Sequence, residues 1–185
     1  MRKSVLIILG LLSQPILADD LQQFNQQSQQ AIKEFATTLK SHLVTAMKAG
    51  GPTQAITVCN SVAPAIAQDL SAKYDLGIGR TSLKVRNSDN TADQWERSVL
   101  QQLELRKSQG EAIKTLSFSE TVTHDDQQEM RMMKAIPTGK VCLTCHGTDI
   151  KPEVQTRLNE LYPDDQATGF ALGDIRGAFT VRQTQ

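Results

Sequence analysis

Aromatic residues make up only 4% of this 185-residue chain, and cysteine occurs three times. So few aromatics leave the interior with little flat apolar surface of its own. Neither sign of charge is in excess, because 20 Lys and Arg balance 20 Asp and Glu. No broad basic surface for nucleic acid or an anionic membrane is therefore expected. Beyond the N-terminus no apolar run approaches the ~20 residues that span a bilayer. Internal repeats and long low-complexity linkers are also missing, and the length suits one domain with a core of ordinary size.

Two of the three cysteines stand in Cys142-Leu143-Thr144-Cys145-His146, the C-x-x-C-H arrangement of a covalently attached c-type haem. A two-residue gap on a short helical turn presents both sulfurs to one porphyrin edge, where they add across the two vinyl groups. An imidazole at the next position supplies one axial ligand to the iron. A zinc site fits poorly, since it needs about four ligands and no second Cys pair or H-x-x-x-H cluster exists. A thioredoxin-like couple fits poorly too, because it would follow a strand of a βαβ unit, whereas Pro137, Thr138 and Gly139 precede this pair. One covalent haem c on Cys142, Cys145 and His146 is the expectation. It would supply the flat apolar surface that the aromatics do not.

The N-terminus has the form of an export signal. Met1-Arg2-Lys3 is followed by the apolar stretch Val5 to Leu12 and by Ile16-Leu17-Ala18 before Asp19-Asp20, a charged region, a short apolar region and a small residue at the cut. The stretch is too short for a membrane anchor, and no cysteine follows it to carry a lipid. Residues 1–18 are read as a signal peptide and 19–185 as a single domain, free in the periplasm with no stable membrane anchor after cleavage. Removing Arg2 and Lys3 leaves 18 cations against 20 anions, a net charge of about −2.

Apolar spacing predicts a long amphipathic helix from Asp20 to about Ala49, ended by Gly50-Gly51, and a second from Pro52 to about Lys73 with Cys59 on its apolar stripe. Thr81, Leu83 and Val85 alternate with polar residues, which predicts an extended segment over Tyr74 to Arg86. A third helix follows, capped by Thr91 and running to about Lys107, with Trp95, Val99, Leu100 and Leu103 inward. Two strands, about Ile113 to Thr123 and Glu129 to Ile136, are joined through His124-Asp125-Asp126-Gln127. After the Cys pair come a short helix from Lys151-Pro152 to Leu161 and a closing strand within Gly169 to Val181. This order suggests an α+β domain with an antiparallel sheet.

Cys59 has no thiol partner once Cys142 and Cys145 are consumed. Two readings stand: a small buried hydrophobe, or a sulfur ligand opposite His146, since haem iron accepts axial thiolate. Competing ligands are weaker. His42 is on the first helix one residue before the apolar Leu43, at a surface or boundary position, and His124 lies among acids in a turn. Met130 and Met132 alternate away from Met133 on one strand, where packing is the commoner role.

Several strings carry a family resemblance: Ala55-Ile56-Thr57-Val58-Cys59-Asn60; Arg80 to Asn87, with Asn90 and Trp95-Glu96; Pro137; Cys142 to Gly147; Tyr162-Pro163-Asp164; Ala167 to Phe170; and Gly173 to Ala178. Over about Ile32 to Val181 the chain resembles the Tll0287-like c-type haem domain, which occurs as free periplasmic or lumenal proteins and as the sensor part of membrane histidine kinases. The resemblance implies a PAS-like fold, a central antiparallel sheet flanked by helices with a long N-terminal helix. It also implies Cys/His axial ligation, at Cys59 and His146. Arg80, Arg86 and Arg176 match in position, and pairing with haem propionates and a loop-stapling role both fit guanidinium chemistry. Of these, Arg80 is taken as a cofactor-binding candidate.

The function expected is redox or diatomic-gas sensing, with a small diatomic ligand or a redox partner protein as the partner beside haem. Single-haem electron transfer is the alternative. A peroxidase-like enzyme is weaker, because it needs an open iron position and a distal acid/base pair that the sequence does not display. No enzymatic activity is expected.

Overall fold

The computed structural model describes residues 16–124 and 127–184. Residues 1–15 of the expected leader, and Asp125 and Asp126 of the expected hairpin tip, lie outside the described residues. Helix α1 (Ile16–Thr57) starts earlier than the Asp20 expected from spacing. Its apolar stripe buries Phe24, Ile32 and Phe35, as a 3.6-residue period demands. The predicted break falls where expected: Gly51 has φ 71° and ψ −164°, a backbone region that is essentially glycine's alone. The two arms then fold against each other, with Leu39, Leu43 and Met47 on one side meeting Ala55, Val58 and Val62 on the other.

The second predicted helix is not uniform. Val58–Val62 form a π-helical turn, and only Ala63–Tyr74 continue as the regular helix α2. Cys59 is half-buried rather than enclosed in an apolar interface. Strand β1 (Gly77–Thr81) is shorter than the predicted extended segment. It ends because the Ser82 hydroxyl accepts from Lys84 N–H at 3.1 Å, a local side-chain turn that competes with strand pairing. Leu83, read as part of that strand, is exposed.

Helix α3 (Gln94–Ser108) buries Val99, Leu100 and Leu103, with Trp95 partly covered. Its cap is Asp93, not Thr91. Asp93 Oδ1 accepts from Glu96 N–H at 2.7 Å, and Glu96 Oε2 accepts from Asp93 N–H at 3.1 Å. This is a reciprocal capping box that the spacing Asp93-x-x-Glu96 encodes. Thr91 instead donates to Ser88 O.

Strands β2 (Ser117–His124), β3 (Gln127–Pro137) and β4 (Ile175–Thr184) complete one antiparallel sheet of order β1-β4-β3-β2. The predicted closing strand is thus internal, paired with β1 and with β3. Alternation along β3 sends Met130 and Met132 to the face covered by α1 and α2, and Met133 to the face covered by α3. Between β3 and β4 lie a 3₁₀ turn (Lys140–Cys142), the one-turn helix α4 (Leu143–His146) and helix α5 (Pro152–Leu161). Val154, Leu158 and Tyr162 pack on Ile56 beside Cys145, which holds the Cys pair against the second arm of α1. Among the described residues no helix is long and apolar enough to cross a membrane.

Candidate functional site

One cavity gathers residues from nearly every part of the chain. Leu39, Leu43 and Met47 come from α1, Cys59 from the π turn, and Arg80 and Thr81 from β1. Arg86 follows β1, Cys142, Cys145 and His146 come from the C-x-x-C-H turn, and Arg176 from β4. The lining encloses about 1030 Å³ of atom-free space, part of it open solvent at the mouth. Cys59, Arg80, Cys142, Cys145 and His146, far apart in sequence, therefore share one space. The methionines of β3 do not line it; Met130, Met132 and Met133 are core residues. His42, the other weighed imidazole with a described side chain, is exposed on α1.

The imidazole of His146 is fixed in one tautomer. Its Nδ1 lies 2.7 Å from the carbonyl oxygen of Ala167. A carbonyl cannot donate, so Nδ1 carries the proton and Nε2 keeps its lone pair. Arg176 Nε also approaches Nδ1, at 3.2 Å. A protonated Nδ1 has no lone pair to accept with, so that approach is a contact and not a second hydrogen bond. Burial, followed by the charges of Arg176 and Arg86, holds the imidazole neutral, with its pKa pushed down to about 2. The ring is braced edge-on by Phe170, with centroids 6.3 Å apart.

A single loop keeps this geometry. Gly169 N–H donates to Gly147 O and Phe170 N–H to His146 O, each at 2.9 Å. Asp165, Ala167 and Phe170 are functional positions missed by inspection of the sequence alone. Ala167 acts through its carbonyl, which leaves no side-chain signature. The end of α4 is why Gly147 is a glycine: a Cβ there would lie 2.6 Å from Leu143 O of that same turn.

The three thiols are free of disulfides. Burial raises the thiol pKa of Cys59, while the nearby charges of Arg80, Arg86 and Arg176 pull it down. Burial likewise raises that of Cys145. Cys142 Sγ accepts weakly from Gly139 N–H at 3.4 Å.

The guanidinium groups divide into two kinds. Arg86 already pairs with Asp165 at 2.9 Å. Among the described residues neither Arg80 nor Arg176 has a carboxylate partner. Arg80 lies over the Phe35 ring at 5.6 Å, and Arg176 over Phe170 at 5.2 Å while donating to Ser82 Oγ and Lys84 O. Burial lowers the pKa of both, with that of Arg176 brought to about 10 by burial and by the charges of Arg86 and Arg80. A buried wall of like charge is a standing preference for an anion.

The donor set fits a macrocycle better than a bare ion. Among the described residues no group of three or more His, Cys, Asp and Glu converges tightly enough to hold a metal by itself. A tetrapyrrole brings four equatorial nitrogens of its own and asks the protein for axial donors and attachment thiols. Nε2 of His146, the three sulfurs and the apolar side chains Leu39, Leu43 and Ile136 around the same space meet that demand.

The comparisons agree with this architecture. The crystal structure of the cyanobacterial haem protein Tll0287 superposes with a TM-score of 0.66 at 23% identity, covering 94% of this chain and 98% of that chain. At that identity the likeness speaks for the fold. No curated protein matches the sequence. The Tll0287-like family model matches residues 16–184, almost every residue that the helices, sheet and cavity use, and the chain belongs to the Tll0287-like family.

Proposed function

We propose that this chain is a periplasmic haem protein that carries one haem c through Cys142 and Cys145, is ligated by His146 and Cys59, and serves in redox or diatomic-gas sensing. The observation that carries the reading is the convergence of the C-x-x-C-H turn and Cys59 on one cavity, with Nδ1 of His146 tied back to Ala167 O so that Nε2 is the free donor. When bound, the group supplies a one-electron iron couple and, where an axial bond opens, a position for a small ligand.

The chain's own residues support the two halves of that role differently. His146 is locked by its carbonyl partner and by the loop bonded to its own backbone, which suits a permanent ligand. Cys59 stands on a π turn, and burial favours its protonated form against the pull of three arginines. A thiol that burial holds towards its protonated form suits a releasable ligand, because the thiolate binds metal and the thiol does not. Arg80 and Arg176, without carboxylate partners, are the residues suited to the two haem propionates. No catalytic turnover is part of this proposal.

Electron transfer is the second reading, and one observation favours it. Val141, beside the first attachment thiol and on the cavity wall, is 48% exposed, so the edge of the site reaches solvent where a partner protein would dock. Two measurements separate the readings. Cys59→Ser should change the ferric absorption spectrum while leaving haem covalently bound, and an unaltered spectrum would remove Cys59 from the iron. Carbon monoxide added to the reduced parent protein should shift the Soret band if Cys59 is released. A spectrum unchanged by CO would overturn gas sensing and leave the carrier.

A further inference from the structure

The proximal imidazole is not held by Ala167 alone. Arg86 and Asp165 are almost fully enclosed, with side chains 7% and 5% exposed, although each belongs to an otherwise irregular segment. Arg86 Nε donates to Asp165 Oδ2 at 3.0 Å. The other carboxylate oxygen, Oδ1, accepts from Ala167 N–H at 2.8 Å. Arg86 Nη2 donates to Cys145 O at 2.5 Å and to Ala167 O at 3.3 Å. That last carbonyl is the acceptor of the His146 Nδ1 proton. The pair therefore grips both sides of the Ala167 peptide and the attachment turn at once, and its cation shares the oxygen on which the imidazole depends.

Resting on the haem reading above, we propose that Arg86 and Asp165 are positioning residues that set the electron-donating strength of His146. A cation bonded to the Ala167 carbonyl withdraws electron density from its oxygen. The oxygen then accepts the Nδ1 proton less strongly, the imidazole acquires less imidazolate character, and Nε2 donates less to the metal. Weaker donation favours ferrous over ferric iron. Asp165 offsets the cation in part, so the two members of the pair act in opposite directions on the iron while acting together on the loop. A carboxylate in place of the carbonyl would make the imidazole a strong donor; this arrangement does the reverse.

The opposition gives the test, made on the full chain with haem attached. The midpoint potential is followed spectroelectrochemically in Arg86→Gln, Asp165→Asn and Arg86→Lys, with thermal unfolding measured in parallel. Arg86→Gln should move the reduction equilibrium towards ferric iron by about tenfold, ~59 mV downward for one electron, and Asp165→Asn should move it upward by a similar amount. Arg86→Lys keeps the charge and should stay close to the parent. A pair that only staples the loop would lower the melting temperature in all three without opposite shifts in potential, and that pattern would overturn the proposal. Should Arg86→Gln fail to fold, Asp165→Asn and Arg86→Lys still decide the matter by sign. Failure of the haem reading is seen separately: parent protein without covalent haem on a denaturing gel stained for haem would refute both.

Discussion

A guanidinium inside a sheet persists where carboxylates and an aromatic face receive it, and Arg131, 8% exposed on β3, has both. Its Nη2 lies 2.6 Å from Asp93 Oδ2 and 3.6 Å from Glu96 Oε1, and its guanidinium sits 4.3 Å from the Trp95 ring centroid. The same Asp93 caps α3, so one carboxylate ties the helix start to the sheet. Burial works against its charge, but the Glu96 N–H, Arg131 and the Trp95 N–H outweigh burial and hold the carboxyl below its ordinary 3.8. A depressed folded pKa contributes stability above the unfolded value, and that stability is lost as pH falls through the folded one. Asp93→Asn keeps a capping oxygen and removes the charge. Urea denaturation should find the variant less stable than the parent at pH 6, by less than about 1 kcal/mol because the group is half exposed. The gap should close towards pH 3, and a gap independent of pH would show that charge contributes nothing here.

At the scale of elements, the π turn Val58–Val62 is what lets one helical arm serve two surfaces. Ile56 packs on α5 before the turn, and Ile66 and Leu70 pack on the sheet after it, while Cys59 within it lines the cavity. In a uniform α-helix each residue advances by about 100°, and the extra residue of a π turn shifts the register of everything beyond it. Deleting Ser61, which is exposed, should restore α-helical pitch. Because Ile66 and Leu70 are anchored in the main core, the rotation should fall on the segment before them. We expect covalent haem to be retained on Cys142 and Cys145, and the ferric spectrum to become that of Cys59→Ser. A deletion variant with the parent spectrum would mean that the π turn has no part in presenting Cys59. Gly177 shows a comparable constraint on β4, where a Cβ would lie 2.4 Å from Thr81 O on β1, so the close pairing beside Arg176 requires glycine.

Over the whole molecule the cavity separates unequal cores. The sheet packs α1 and α2 on one face and α3 on the other in two large clusters, whereas the arms of α1 and helix α5 rest on clusters with three or four buried residues each. Filling the cavity would join the small clusters to the large ones through one rigid apolar surface. Protein carrying Cys142→Ala and Cys145→Ala, prepared without haem, should melt below the loaded parent. Its hydrogen exchange should accelerate in Thr53 to Val62 and in α5 while β3 and β4 stay protected; uniform acceleration across the sheet would contradict this. Local chemistry made part of this legible beforehand. The C-x-x-C-H turn, the Gly50-Gly51 break and the opposite faces of Met132 and Met133 follow from spacing and periodicity, which depend only on near neighbours in the chain. The long first helix follows from apolar spacing and the α+β class from the order of the elements. The Asp93 cap is also written in the sequence, beside Thr91, another capping residue type two positions earlier. Other features had no local signal. Placing β4 between β1 and β3, bringing Asp165 to Arg86 across 79 positions and turning Cys59 towards the cavity depend on which distant surfaces pack together. The sequence by itself determined which donor side chains the chain carries and where helices break; tertiary structure decided which of them meet, because long-range pairing is selected by the burial of the whole chain and not by any one segment's propensity.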